Sequence, residues 1–168
     1  MDGQKIISLY IHIPFCISKC SYCDFFSLTL KDCNNIIPRE YIAALCKEIK
    51  YRLNGLQNPL IKTIYIGGGT PSLLKDFQIK EIVRAIKEYP VAPDCEFTLE
   101  VNPDDLSRDL LVCLEENGVN RLSCGIFYCW NRKTAMCISA REQTASAGYS
   151  KCVKQSKQQA RCPAGSCR

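Results

Sequence analysis

Between residues 6 and 126 the sequence switches back and forth between two hydrophobic periods, and few architectures satisfy such an alternation. Residues 6–13 are β-branched and apolar and are stopped by Pro14, as expected of a buried strand. From Pro38, a good first helical residue, apolar positions recur at Ile42, Leu45, Cys46, Ile49 and Leu53, with Gly55 just past the end. Residues 61–66 form a second strand-like run, closed by Gly67-Gly68-Gly69. Phe77, Ile79, Ile82, Val83 and Ile86 mark a second helical face that ends before Pro90. Residues 95–101 alternate as a third strand. Leu106, Leu110, Leu111 and Leu114 mark a third helix with Gly118 at its C-terminal cap, and residues 119–126 complete a fourth strand. Strand and helix repeated three times, then a strand, predict an α/β fold: a parallel sheet with right-handed crossovers and helices outside. Four strands cannot close a barrel, so the expected architecture is part of one.

The loop after the first strand carries Cys16-x-x-x-Cys20-x-x-Cys23, at the strand end where α/β folds place ligand sites. The chain has 13 cysteines, an odd number that a complete intrachain disulfide framework cannot use up. Its first residues, Met1-Asp2-Gly3-Gln4-Lys5, do not make a secretory leader, and no run approaches the ~18 apolar residues of a membrane span. A reducing, cytoplasmic setting is expected, in which clustered cysteines are metal ligands or reactive thiols more often than disulfides. Three thiolates suit an iron–sulfur cluster with one ligand missing, whose open iron can chelate the amino and carboxylate groups of S-adenosylmethionine (SAM). Zinc is the blander alternative, with His12, the single histidine, as fourth ligand; but His12 lies within a strand four residues before Cys16, an unusual zinc spacing. Cysteines with no common ligand are a further alternative, opposed by three thiols in eight residues beside Phe15, Tyr22, Phe25 and Phe26.

Two more features adjoin strand ends. Gly67-Gly68-Gly69-Thr70-Pro71 would let backbone approach a ligand closely, or simply turn the chain toward the next helix. It is not a P-loop, because no Gly-Lys-Ser/Thr follows. Glu100, in Leu99-Glu100-Val101-Asn102-Pro103, places a carboxylate at the mouth of the sheet, where it could accept hydrogen bonds from a ribose or simply be solvated.

Taken in order, Tyr10-Ile-His-Ile-Pro-Phe-Cys16-Ile-Ser-Lys-Cys20-Ser-Tyr-Cys23-Asp-Phe25, Gly67-Gly-Gly-Thr-Pro71, Glu100-Val-Asn-Pro103 and Gly118-Val-Asn-Arg-Leu-Ser123 resemble the oxygen-independent coproporphyrinogen III oxidase family of radical SAM proteins over about residues 6–126. The resemblance implies a partial (β/α)6 TIM-like barrel followed by a C-terminal domain. It also implies a [4Fe–4S] cluster on Cys16, Cys20 and Cys23 and SAM as the second cofactor. By the same resemblance, Tyr10 and Tyr22 flank SAM, the backbone of Gly68, Gly69 and Thr70 contacts it, and Glu100 touches its ribose side. No side chain is assigned a catalytic role. Family members that dehydrogenate coproporphyrinogen carry a cysteine two residues after the last cluster ligand, where this chain has Phe25. Cys-Asp-Phe is similar to the HemW branch, whose members are heme chaperones. That branch implies heme as cargo, an electron donor and heme-accepting respiratory enzymes as partners. The alternative is a coproporphyrinogen dehydrogenase relative acting in porphyrin biosynthesis.

Past Ile126 the pattern stops. Where the family continues Gly-x-Gln-Ser-Phe, this chain has Gly125-Ile126-Phe127. Residues 127–168 hold only Ile138 and Val153 among Ile, Leu and Val, together with five cysteines: Cys129, Cys137, Cys152, Cys162 and Cys167. Eight Lys or Arg against Glu142 give this segment +7, which leaves −2 for residues 1–126 out of a total of +5. The basic balance therefore belongs to the tail, and nucleic acid is not an expected partner. A stretch so poor in apolar residues cannot offset its ordering entropy, so disorder is expected there. The expected organisation is a radical SAM core over 1–126, truncated after its fourth strand, and an aberrant, frameshift-like tail over 127–168. The core is not expected to be competent alone.

Overall fold

A computed structural model describes residues 3–20, 23–30 and 34–124, together with the backbone of 136–138. Among the described residues there are seven strands: β1 (Lys5–Ile13), β2 (Phe15–Cys16), β3 (Leu28–Thr29), β4 (Pro59–Gly68), β5 (Val91–Val101), β6 (Arg121–Cys124) and β7 (Met136–Ile138). The helices are α1 (Arg39–Asn54), α2 (Asp76–Lys87) and α3 (Arg108–Glu116). β1, β4, β5 and β6 run parallel in that spatial order, each joined to the next through a helix, as the alternating periods require. The three strand–helix units and the closing strand expected from sequence are therefore present, and no helix among the described residues is long and apolar enough to cross a membrane.

Pairing in a parallel sheet puts register partners on the same face. Leu9, Ile11 and Ile13 align with Ile64, Ile66 and Gly68, and the row continues through Phe97, Leu99 and Val101 to Leu122 and Cys124. This face packs under the helices, against Ile42, Ile49 and Leu53 of α1, Ile79, Ile82 and Ile86 of α2 and Leu110 and Leu114 of α3. The opposite row carries Tyr10, His12, Tyr65, Gly67, Thr98, Glu100, Arg121 and Ser123. One face is thus apolar and covered and the other polar, which is the division expected of a barrel wall.

Polar side chains pin the wall in register. Gln78 is fully buried in α2; its amide nitrogen donates to the Ile37 carbonyl at 2.8 Å and its oxygen accepts from the Lys75 N–H at 3.0 Å. Asn120 joins the start of β6 to β5, accepting from the Phe97 N–H and donating to the Cys95 carbonyl. After α3, Gly118 takes φ 92°, and the N–H groups of Gly118 and Val119 return to the carbonyls of Glu115 and Leu114. That is the Schellman closure its glycine foretold.

Two expectations are corrected. β1 is an edge strand, not a fully buried one: Ile6 is 68% exposed and only Ile11 and Ile13 are buried, because nothing described covers its outer edge or the N-terminal half of its polar-side row. Phe77 is not a core residue of α2; it lies at the surface with the Arg39 guanidinium 5.8 Å over its ring. β5 keeps its alternation, with Phe97, Leu99 and Val101 buried in the covered row and Glu96 and Glu100 half-buried in the polar one, where Thr98 alone is buried as well. Beyond residue 124 the description holds only β7, which pairs antiparallel with β6 and puts a fifth strand on a sheet expected to stop at four. The rest of the expected disordered tail lies outside the described residues.

Candidate functional site

The site gathers at the C-terminal ends of β1, β4 and β5. The cysteine loop leaves β1 at Pro14, and short ties hold its base: Leu28 N–H to the Pro14 carbonyl, Leu30 N–H to the Cys16 carbonyl and Cys23 N–H to the Cys20 carbonyl. Tyr41 of α1 supports it from below, donating to the His12 carbonyl at 2.7 Å and setting its ring edge-on to Phe15.

The glycine turn folds over that base. Gly69 N–H donates to the Ile13 carbonyl at 2.8 Å and Thr70 N–H to the Phe15 carbonyl at 2.7 Å. A Cβ at Gly69 would lie 2.6 Å from the Phe15 carbonyl oxygen and 2.9 Å from Cys16 Sγ, so only glycine lets the two segments meet. Gly68 has φ 124°, and a Cβ there would strike the His12 imidazole at 2.7 Å. With the amides of Gly68, Gly69 and Thr70 all donated within the protein, what the turn can offer a ligand from these residues is carbonyl oxygen. Thr70 Oγ1 lies 3.5 Å from Cys16 Sγ.

Glu100 reaches the same place from β5. Its Oε2 accepts the Gly68 N–H at 2.9 Å and its Oε1 accepts the Tyr65 hydroxyl at 2.7 Å. Tyr10 is 58% exposed on the open face; its ring stacks on Tyr65 with centroids 6.0 Å apart and its hydroxyl hydrogen-bonds His12 Nδ1 at 2.9 Å. Burial, and then the Glu100 charge, hold the Tyr10 phenol above its ordinary range; Tyr65 is raised by burial and next by its hydrogen bond to Glu100. Both phenols therefore stay neutral at physiological pH.

The residues singled out from sequence divide accordingly. Tyr10, Cys16, Gly68, Gly69, Thr70 and Glu100 share one mouth. Tyr22 lies outside the described residues. Cys20 is exposed and Cys23 half-buried on the same loop, and no three His, Cys, Asp or Glu side chains among the described residues are already gathered as a metal-holding group. All seven described cysteines are free thiols, so the loop's donors are available for a metal. His12 is engaged with Tyr10 and the glycine turn. Two residues were missed: Tyr65, and Ser72, whose hydroxyl accepts the Asn102 N–H and donates to Asp105, tying the loop after β4 to the loop after β5. For Tyr65 the signal was present, since it stands two residues before Gly67 on a strand of period two.

The radical SAM superfamily model matches residues 10–146. Among curated relatives, the heme chaperone HemW of Buchnera aphidicola subsp. Acyrthosiphon pisum (strain APS) is 43% identical over 122 residues, covering 71% of this chain and 32% of that protein. HemW of Escherichia coli (strain K12) is 40% identical over 121 residues, with coverage of 71% and 32%, and that of Bacillus subtilis (strain 168) is 43% identical over 121 residues, with 71% and 31%. Among solved structures, coproporphyrinogen III oxidase (HemN) from Escherichia coli, a radical SAM enzyme, superposes with a TM-score of 0.68 at 26% identity, over 90% of this chain and 35% of that one. The chain spans about a third of the length of the curated relatives it matches.

Proposed function

This chain belongs to the radical SAM superfamily, in the family of HemW and HemN, and from that premise we propose that it is the cluster- and SAM-binding portion of a HemW-type heme chaperone. The observation that carries the reading is the convergence of a three-cysteine loop, a glycine turn and a carboxylate in one mouth, with Cys16 directly under Gly69 and Thr70. Cys16, Cys20 and Cys23 would hold a [4Fe–4S] cluster; when bound with SAM, it supplies the electron that opens the sulfonium C–S bond. The chain's own residues do the rest. The glycine turn presents carbonyl oxygens suited to an ammonium group, and Glu100 presents a carboxylate suited to sugar hydroxyls. Tyr10 flanks the ligand and limits water at the mouth, and the family resemblance gives Tyr22, next to Cys23 in sequence, the same flanking role. Heme as cargo, an electron donor and heme-accepting respiratory enzymes belong to the proposal for the whole protein, in a reducing cytoplasm.

Anaerobic reconstitution with iron and sulfide tests it. About four irons per chain and broad thiolate-to-iron absorption are expected, lost on changing Cys16, Cys20 or Cys23 to Ala and kept in Cys46→Ala. Stoichiometric zinc without sulfide would overturn it.

The structural likeness to HemN favours a second reading, dehydrogenation of coproporphyrinogen. Phe25, 72% exposed beside the cysteine loop, stands against it, since it offers no thiol. A chimera placing residues 10–124 in the Bacillus subtilis relative should bind heme and form no protoporphyrinogen. Protoporphyrinogen formation would favour the second reading.

A further inference from the structure

We propose that Tyr65 is a positioning residue for Glu100: its phenol sets the carboxylate in the one orientation from which it accepts a ligand's sugar hydroxyls. The inference rests on Glu100 as the sugar-side contact and adds the residue that makes it selective. Both Glu100 oxygens are held from β4, Oε1 by the Tyr65 hydroxyl at 2.7 Å and Oε2 by the Gly68 N–H at 2.9 Å. A carboxylate oxygen has two lone pairs, so each keeps one for a ligand while the plane of the group is fixed. Without the phenol, the terminal torsion of Glu100, which has no sharp rotamer of its own, turns about the single Gly68 anchor.

Tyr65 is itself held on three sides. Tyr10 stacks on it at 6.0 Å and 28°, and Ser123 of β6 lies beside its hydroxyl. The third support is an empty position. A Cβ at Gly67 would lie 2.6 Å from Tyr65 Cε1 and 3.0 Å from Glu100 Cδ, so the first glycine of the turn vacates the space in which ring and carboxylate meet. Arg121, on the same face, supplies an opposing positive charge.

Two measurements on the full chain test the role. In the reconstituted protein, Tyr65→Phe keeps the ring and removes the donor; SAM affinity by calorimetry should fall about three- to tenfold. In a Glu100→Gln background the same change should cost less than about twofold, because the group it positions has already been altered. Equal cost in both backgrounds would show Tyr65 acting as a packing residue and would overturn the proposal. The second measurement needs no ligand: in tyrosine-Cζ-labelled protein, the Tyr65 phenol should titrate above the ordinary phenol range and move down in Glu100→Gln. A Tyr65 that titrates in the ordinary phenol range and ignores Glu100→Gln would overturn the link itself. If the wild-type chain does not bind SAM, or Glu100→Gln binds it as tightly, the reading of Glu100 falls, and the titration still decides whether Tyr65 holds it.

Discussion

Gly69 faces two partners that cannot retreat: a Cβ there would meet the Phe15 carbonyl oxygen at 2.6 Å and Cys16 Sγ at 2.9 Å. Backbone does not move aside as the end of a long side chain would, so Gly69→Ala must lift the turn off the cysteine loop. A stability loss of about 1–3 kcal/mol is expected, with cluster loading lost even where the chain stays folded. Iron content set beside the denaturation midpoint separates the two effects, and normal loading would contradict the close approach. Gly68→Ala should behave similarly for a different reason, since φ 124° and the His12 ring both exclude a side chain. The glycines were visible in sequence as a turn that lets backbone come close. What each approaches was not visible, because Phe15, Cys16 and His12 meet the turn only once β1 and β4 pair.

The helices were legible because burial repeats with the helical period. Ile42, Cys46, Ile49 and Leu53 are buried on α1, and Ile79, Ile82, Val83 and Ile86 on α2, as their spacing predicts. Ile82 is fully buried, and Ile82→Ala should cost about 2–5 kcal/mol in denaturant unfolding. A value below about 1 kcal/mol would mean that the apolar face of the sheet is not closed by α2. Gln78 tells the opposite story, for a polar residue at a core position reads as surface in any periodicity. Its carboxamide serves both the Lys75 N–H and the Ile37 carbonyl, so Gln78→Leu strands two backbone groups and should cost about 2–4 kcal/mol despite added apolar volume. Thermal melts of Gln78→Leu and Gln78→Glu would check this, with Glu restoring only the acceptor half.

Across the molecule, the phenols of Tyr10, Tyr41 and Tyr65 and the thiols of Cys46, Cys95 and Cys113 are all pushed up, burial being the first cause in each. Raised values mean that the folded state holds these protons more tightly than the unfolded chain. The stabilisation is complete below the unfolded values, about 8.5 for thiols and 10 for phenols, and is lost as pH climbs through the folded ones. The denaturation midpoint under reductant should therefore hold steady from pH 7 to 8 and fall by pH 10.5. A midpoint that rises with pH would contradict the assignment. At the same scale, the proposed SAM site draws on Tyr10, the glycine turn and Glu100, while the position of the family's later glutamine lies outside the described residues. Adding a family-like continuation after Ile126 should tighten SAM binding at least tenfold, since it would add several hydrogen bonds to a polar ligand. Equal affinity in the two forms would show that residues past Ile126 contribute nothing.

The order of elements, most of the covered face of each helix and the three-cysteine spacing of the Cys16–Cys20–Cys23 loop were readable along the chain, because each depends on residues within a few positions of one another. Tertiary structure alone decided that β1 lies at an edge, that Phe77 faces solvent under Arg39, and that Gln78 belongs in the core. It also decided that β7 runs antiparallel against β6, where the fading of apolar periodicity had predicted no strand at all. Tyr65 shows why. Its bond to Glu100 spans 35 positions, and no local pattern records it. The register of β4 on β5 creates that contact, and register is a property of the paired sheet rather than of either strand.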